Sequence, residues 1–260
     1  MKTKVILVAV LLGCLLGANP VFAKEWTNVR IGVEGAYPPF SFVDPQGNLG
    51  GFDIDIANAL CAAMKVQCEL IKSDWDGIIP SLLARKFDAI IASMSITEER
   101  KQKVAFSNKY YQTPARFVRK KGSGIEITPE GMKGKTVGVQ RATIHDSYLT
   151  DNYGDTVNIK RYGTLDEAYL DMSSGRLDLL LGDSIPLSDG FLKTDSGKDF
   201  EFIGPDLRDE KWFGEGVGVA LRKDDEDLRE MFNKGIETIR ADGAYKKIQD
   251  KYFDFDVYGD

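Results

Sequence analysis

Apolar residues recur along the chain in two alternating patterns, one typical of buried strands and the other of amphipathic helices. Short runs rich in branched aliphatic residues favour strands, and they lie at 29–33, 67–71, 87–92, 135–139, 157–160, 177–181 and 216–221. Apolar residues three or four positions apart predict helices at 52–64, 75–85, from about 143, from about 165, at about 226–241 and from 244. Strands that alternate with helices favour parallel sheets with right-handed crossovers.

Two segments of the chain resemble each other. Residues 79–91 and 168–180 each combine a helix, a basic turn and an aspartate that precedes a buried strand. This repeat indicates two similar α/β lobes rather than one long sheet.

The longest apolar run lies at the N-terminus. A basic start is followed by the apolar stretch 5–17, a break at Asn19-Pro20 and the small-x-small site Val21-Phe-Ala23. This pattern predicts a secretory signal peptide over 1–23, and hence export to the periplasm. A membrane anchor is the alternative, but the run is short for a span. The segment ending at Cys14 also resembles a lipobox, and a lipidated Cys14 would tether the protein to a membrane.

Composition excludes several classes of protein. The chain has 260 residues, of which 43% are hydrophobic and 28% charged, so it can form one large core or two smaller ones and is not disordered. A formal net charge of −6 disfavours nucleic-acid binding. A single apolar run excludes a polytopic membrane protein.

The cysteines point to a structural bridge. Three cysteines are too few for a disulfide-scaffold fold or a four-cysteine zinc site. If the N-terminal segment is removed, Cys61 and Cys68 remain, and an even pair in an oxidising compartment favours a disulfide. A metal role lacks further ligands, because the one histidine, His145, is far away in sequence.

A set of motifs resembles one known family. The chain is similar to periplasmic solute-binding proteins of polar amino-acid ABC transporters (family 3), above all to the branch that binds lysine, arginine and ornithine or histidine. The motifs that carry this resemblance span nearly all of the chain after residue 23, and they are IGVEGAYPPF (31–40), GFDIDI (51–56), WDGIIP (75–80), DAIIASMSIT (88–97) with Arg100, FGEGVG (213–218) and KYFDFDVY (251–258). The spacing of the two cysteines also matches a disulfide common in that branch.

The resemblance implies a two-lobe α/β fold, the type II periplasmic binding protein fold. Each lobe then has a central β-sheet flanked by helices, and two strand-like hinges join the lobes. Lobe 1 is predicted to comprise 24–112 and 214–260, and lobe 2 to comprise 115–210. The hinges are expected near 112–114 and 211–213, and the lobes would close on a ligand between them.

The resemblance also implies which residue binds the carboxylate of an amino acid. Arg100 follows a buried strand and the turn 93–95, and a guanidinium can bind a carboxylate through two hydrogen bonds. Backbone amides near Ser95 and Thr143 would add to this contact. The alternative is an ordinary surface arginine within a run of charged residues.

Asp183 is the expected acceptor for the ammonium group, because a carboxylate follows the corresponding strand in the family. The carbonyl oxygen of Ser93 and the hydroxyl of Ser95 would share that ammonium. The alternative is that Asp183 caps a helix N-terminus, a common role for an aspartate after a strand.

Three residues are expected to select the ligand side chain. Glu34 stands where the branch has an acid that faces the distal cation, and Tyr37 and Trp75 stand where it places two aromatic rings around the aliphatic stem. Arginine stacks favourably on such rings. Ordinary core packing is the alternative for both aromatic residues.

The chain departs from the branch at the far end of the pocket. Ala92 replaces a common serine, and the segment from Gln140 to His145 differs from the usual sequence. His145 is expected at the rim of the side-chain end, or else simply solvated or hydrogen-bonded. These changes leave room for an opine, an amino-acid conjugate of arginine. The complete predicted ligand-binding set is Glu34, Tyr37, Trp75, Ala92, Ser93, Met94, Ser95, Arg100, Gln140, Thr143, His145 and Asp183.

The function expected from the resemblance is that of a receptor for an ABC importer. It would bind arginine, ornithine, lysine or histidine as a monomer, without a cofactor or nucleic acid, and dock on an inner-membrane permease. The chain has no phosphate-binding G-x-x-x-x-G-K-[ST] loop, so the ATPase would be a separate protein. Two alternatives are a carrier for a membrane sensor and an enzyme similar to cyclohexadienyl dehydratase.

Overall fold

The computed structural model describes residues 25–259. The strands are β1 (Asn28–Val33), β2 (Ala36–Tyr37), β3 (Ser41–Val43), β4 (Leu49–Gly50), β5 (Gln67–Lys72), β6 (Ala89–Ile90), β7 (Ala105–Tyr111), β8 (Ala115–Lys120), β9 (Thr136–Gln140), β10 (Asn158–Tyr162), β11 (Leu179–Asp183), β12 (Phe200–Leu207) and β13 (Val217–Leu221). The helices are α1 (Phe52–Met64), α2 (Trp75–Leu83), α3 (Glu98–Lys101), α4 (Pro129–Met132), α5 (Ile144–Tyr153), α6 (Leu165–Ser173), α7 (Ser184–Leu187), α8 (Glu210–Phe213), α9 (Glu226–Ala241) and α10 (Ala244–Tyr252).

Two five-stranded mixed sheets form the centres of two lobes. The first sheet has the order β5-β1-β6-β13-β7, with β1 parallel to both neighbours and β13 antiparallel to both of its own. The second has the order β10-β9-β11-β8-β12, with β9 parallel to its neighbours and β8 antiparallel to its own. The predicted two-lobe α/β architecture is therefore confirmed.

Helices cover the faces of the sheets through apolar residues at helical spacing. In the first lobe, α9 buries Leu228, Phe232, Ile236 and Ile239 and contacts α1 and β7. In the second lobe, α6 contacts β9, β10 and β11. Every helix predicted from the sequence is present in the structure, as α1, α2, α5, α6, α9 and α10.

The chain passes between the sheets twice. Residues 112–114 lead from β7 to β8, and the segment after Leu207 leads back to β13. The second passage was expected to be strand-like, but residues 211–213 belong to the short helix α8, because the side chain of Asp209 accepts a hydrogen bond from Lys211 N (3.0 Å) and caps it. Gly214 then takes a φ of 77°, and a Cβ there would lie 2.3 Å from Ile96 O.

Two predicted strands have different bounds in the structure. The run 87–92 pairs only at Ala89–Ile90, because the chain turns at Ser93, where φ is 54°. The run 177–181 is shifted to Leu179–Asp183, where Asp183 pairs with Ala115 of β8. This shift places Asp183 at the end of a strand beside the passage between the lobes.

The predicted Cys61–Cys68 disulfide is confirmed. It joins the last turn of α1 to β5 across a sequence separation of 7 residues. No helix within residues 25–259 is long and apolar enough to span a membrane. The predicted signal peptide and Cys14 lie outside the described residues.

Candidate functional site

A small cavity with a volume of about 20 Å³ lies between the two lobes. Its lining consists mainly of polar and aromatic side chains from both lobes, namely Glu34, Tyr37, Trp75, Ala92, Ser93, Ser95, Arg100, Gln140, Thr143, Ile144, His145 and Asp183. Every residue of the predicted ligand-binding set except Met94 lines this cavity, and Ile144 was not predicted.

Met94 lies in an apolar cluster instead. Its side chain is fully buried with residues such as Ile78 and Phe106, and its carbonyl oxygen accepts a hydrogen bond from Gly218 N (3.1 Å). The side chain therefore contributes to the core of the first lobe, while its neighbours Ser93 and Ser95 line the cavity.

Arg100 lies on the short helix α3, which Thr97 caps by accepting a hydrogen bond from Arg100 N (3.3 Å). The guanidinium donates from Nη1 to Ser95 O (3.0 Å) and lies 5.2 Å from the centroid of the Trp75 ring. Burial lowers the pKa of Arg100 to about 10, so the side chain still carries its charge at neutral pH. A guanidinium has five N–H donors, so this geometry is suited to binding an anionic group in the cavity.

Asp183 is buried at the end of β11. It occupies the N-cap position of α7, yet its side chain makes no capping hydrogen bond. Instead, Oδ2 accepts a hydrogen bond from the Tyr37 hydroxyl (2.6 Å), and Oδ1 lies 3.5 Å from His145 Nε2. The structure therefore supports a carboxylate that faces the cavity over the alternative of a helix cap.

Glu34 follows β1 directly and is 5% exposed. Gln140 Nε2 donates to Glu34 Oε1 (2.7 Å) and to Gly163 O (3.0 Å). Burial raises the pKa of Glu34 to about 7, although the hydrogen bond from Gln140 opposes the rise. A cation placed beside Glu34 would favour the ionised carboxylate.

Within residues 25–259, the contacts between the two lobes include four polar contacts at or beside the cavity. Two contacts, Tyr37–Asp183 and Gln140–Glu34, join residues of the cavity lining. Two more flank it: Trp75 Nε1 donates to Ala142 O (3.1 Å), and Arg141 Nε forms an ion pair with Asp76 Oδ2 (2.7 Å). These last two contacts are adjacent. Trp75 and Asp76 are consecutive residues of α2, and Arg141 and Ala142 are consecutive residues just before α5. The lobes are thus in direct contact across the cavity.

His145, which was expected at the rim of the side-chain end, lies beside Asp183. Its Nε2 is 3.5 Å from Asp183 Oδ1, and its ring is 6.2 Å from the Phe213 ring. The reason is its position in the first turn of α5, the helix that begins after Thr143.

Comparisons with known proteins agree with this geometry. Residues 29–255 match the family described as bacterial extracellular solute-binding proteins, family 3. An L-arginine-binding protein of Pseudomonas aeruginosa is 53% identical, over 92% of this chain and 93% of its own length. The lysine/arginine/ornithine-binding periplasmic protein of Escherichia coli is 44% identical over 100% of both chains.

The chain belongs to the family 3 bacterial extracellular solute-binding proteins. A solved structure of an ancestral arginine-binding protein bound to arginine has the same fold, with a TM-score of 0.80 and 36% identity over 87% of this chain and 98% of its own.

One residue that supports the site in this solute-binding protein was missed at the level of sequence. Asp53 on α1 is fully buried and accepts hydrogen bonds from the Tyr110 hydroxyl (2.9 Å) and from Ser93 Oγ (3.0 Å). Burial raises its pKa to about 7. Asp53 thereby holds Ser93, whose φ is 54°, at the wall of the cavity. The sequence could have indicated this role, because Asp53 lies between two apolar residues of a predicted buried helix, and a buried aspartate needs polar partners.

Within residues 25–259, no three histidine, cysteine or acidic side chains are grouped so that they could hold a metal ion.

Proposed function

We propose that this solute-binding protein captures a cationic L-amino acid, namely arginine, ornithine or lysine, between its two lobes. The observation that supports this most strongly is one cavity that brings together a guanidinium and two buried carboxylates. Arg100 would bind the α-carboxylate, Asp183 the α-ammonium and Glu34 the distal cation. The names of the arginine-binding and lysine/arginine/ornithine-binding relatives support the same class of ligand.

In this proposal, the negative charge of Glu34 determines which ligand side chains bind at the distal end of the cavity. An acidic side chain would face Glu34 at short range in a cavity of low dielectric, where repulsion between like charges is strong. A cation there would instead pair with the carboxylate that Gln140 holds in place. The Tyr37 and Trp75 rings, both part of the lining, would cover the aliphatic stem.

Ligand capture would couple to a rotation of the lobes. In this proposal, lobe 1 comprises 24–112 and 214–260, lobe 2 comprises 115–210, and the passages near 112–114 and 211–213 absorb the motion. The ligand would bind the open form first and favour closure, because its two ends contact residues of both lobes.

The remaining expectations concern location and partners. The names of the relatives support export to the periplasm, and the closed form would dock as a monomer on an inner-membrane ABC permease with a separate ATPase. The protein would bind its ligand without turning it over, so arginine recovered after incubation should be chemically unchanged.

Calorimetry of the protein without residues 1–23 against a panel of amino acids tests the proposal. Arginine, ornithine and lysine are expected to bind about a hundredfold more tightly than glutamine or glutamate, because only they neutralise Glu34. Tight binding of glutamine or glutamate alone would contradict the assignment.

The ion pair between Asp76 and Arg141 provides a prediction about closure. Both side chains are about half exposed, and neither lines the cavity. Because this pair forms only when the lobes meet, Asp76→Asn is expected to weaken arginine binding about two- to fivefold, mainly through faster dissociation. Stopped-flow measurements at low and high salt check this, and the effect should shrink as salt screens the pair.

A matched control is Asp250→Asn, which removes an exposed ion pair with Lys246 within α10. This control should leave association and dissociation unchanged. An equal effect of both substitutions would show that the Asp76–Arg141 pair has no special part in closure.

A further inference from the structure

His145 is the buried polar side chain of the cavity whose role the proposed function leaves open. It is 5% exposed, and Nε2 makes no hydrogen bond to any residue within 25–259. A buried polar nitrogen without a partner is costly, so each such atom calls for an explanation. His145 lines the cavity, which makes a ligand atom a suitable partner.

The surroundings of this nitrogen identify the ligand atom. His145 Nε2 lies 3.5 Å from Asp183 Oδ1, whereas the other oxygen of Asp183 already accepts the Tyr37 hydroxyl. A ligand nitrogen within hydrogen-bond reach of Oδ1 would therefore also be close to Nε2. An α-ammonium has three N–H groups. If Asp183 and a neutral imidazole accept two of them, one remains for either the carbonyl oxygen of Ser93 or the hydroxyl of Ser95, so His145 would replace one of the two serine contacts that the resemblance implies.

Few charged groups compete for this position. The ionisable groups that line the same cavity are Asp183, Tyr37, Arg100 and Glu34. Glu34 is held by Gln140 and Arg100 by Ser95 O. On β10, which packs against α5, Arg161 pairs with Asp146 and Lys160 with Asp171. On α8, Lys211 lies over the Trp212 ring, and just before α8, Arg208, which lines a small pocket with Asp183, pairs with Asp206.

We propose that His145 is a further specificity-determining residue, whose neutral imidazole accepts a hydrogen bond from the ligand α-ammonium at Nε2, beside Asp183. This inference rests on the proposed function. A protonated imidazole would instead pair with Asp183 and repel the ammonium. Proton and ligand therefore exclude each other at this end of the cavity.

The sign of the pH effect follows from this exclusion. The bound ligand keeps the imidazole neutral. The affinity for arginine is therefore highest when the pH is above the titration midpoint of His145 in the free protein, and it falls as the pH drops below that midpoint. The dissociation constant for arginine should thus rise by up to about tenfold for each pH unit below the midpoint.

Nuclear magnetic resonance tests the proposal directly, because the chain has a single histidine. In untagged protein, saturating arginine is expected to move the midpoint of the imidazole titration to lower pH by one unit or more. An unchanged or raised midpoint, with arginine bound, would overturn the role of His145 and leave the proposed function intact. If arginine, ornithine and lysine all fail to bind, both are overturned.

Two substitutions separate recognition from a structural role. His145→Leu should raise the dissociation constant for arginine about tenfold at pH 7.5 and remove most of its change between pH 5.5 and 7.5. His145→Gln restores an acceptor and should recover part of the affinity while the pH profile stays flat. A profile in His145→Leu as steep as in the wild type would assign the pH dependence to another group, such as Glu34, and overturn the proposal.

Discussion

Arg100→Ala is expected to abolish detectable binding of every amino acid, whatever its side chain. The α-carboxylate is common to all of these ligands, and a charge-assisted, two-point contact with a guanidinium is among the strongest that a protein makes. Removing one partner of a buried ion pair costs about 3–5 kcal/mol, or roughly two to four orders of magnitude in affinity. Calorimetry with arginine, lysine and histidine measures the loss.

The fold should survive this substitution. Arg100 lies on a four-residue helix, and its side chain contacts the carbonyl oxygen of Ser95 and the Trp75 ring, both of which line the cavity. The melting temperature without ligand should therefore change little, whereas the rise caused by arginine should disappear. Affinity retained within a few-fold would show that the α-carboxylate binds elsewhere. Arg100→Lys keeps the positive charge but loses the planar guanidinium that makes two parallel hydrogen bonds, so it should recover only part of the binding.

Glu34→Gln is expected to weaken arginine, ornithine and lysine about a hundredfold, and ligands without a distal cation far less. Glutamine keeps the size of the side chain and an oxygen that can accept from Gln140 Nε2, so the contact between the lobes is preserved. Any loss of affinity in Glu34→Gln would therefore be due to the missing negative charge alone. Competition binding with arginine and histidine measures the ratio of the two effects.

Burial gives this prediction a physical basis. The pKa of Glu34 is raised to about 7 by burial, so the carboxylate requires a cation nearby to be fully ionised at neutral pH. The exposed Glu237 on α9 provides a matched control, since Glu237→Gln removes the same charge far from the cavity lining. Equal losses for arginine and histidine in Glu34→Gln would contradict a role for Glu34 at the distal end.

The long helices and buried strands follow from apolar periodicity, whereas the shortest elements do not. Helix α1 has the predicted bounds because its apolar residues repeat over 13 positions. Strands β2 and β4 have two residues each, too few for any period to show. β8 has two arginines among its buried residues, and only Phe200 of β12 is buried, so neither segment was recognised as a strand.

Most of the candidate site was accessible from sequence, because family motifs fix which residue types lie at the ends of strands. What sequence does not determine is the direction of each side chain. Met94 points into the core between two residues that line the cavity, and His145 Nε2 lies beside Asp183 Oδ1. Asp53 was missed since its partners, Ser93 and Tyr110, are 40 and 57 positions away in sequence.

A crystal structure of the protein with arginine bound tests the central proposal most directly. We expect the α-carboxylate on Arg100, the α-ammonium between Asp183 and His145, and the guanidinium within hydrogen-bond distance of Glu34. Arginine bound outside this cavity, or bound inside it with its guanidinium on Asp183 and its ammonium beside Glu34, would contradict the account.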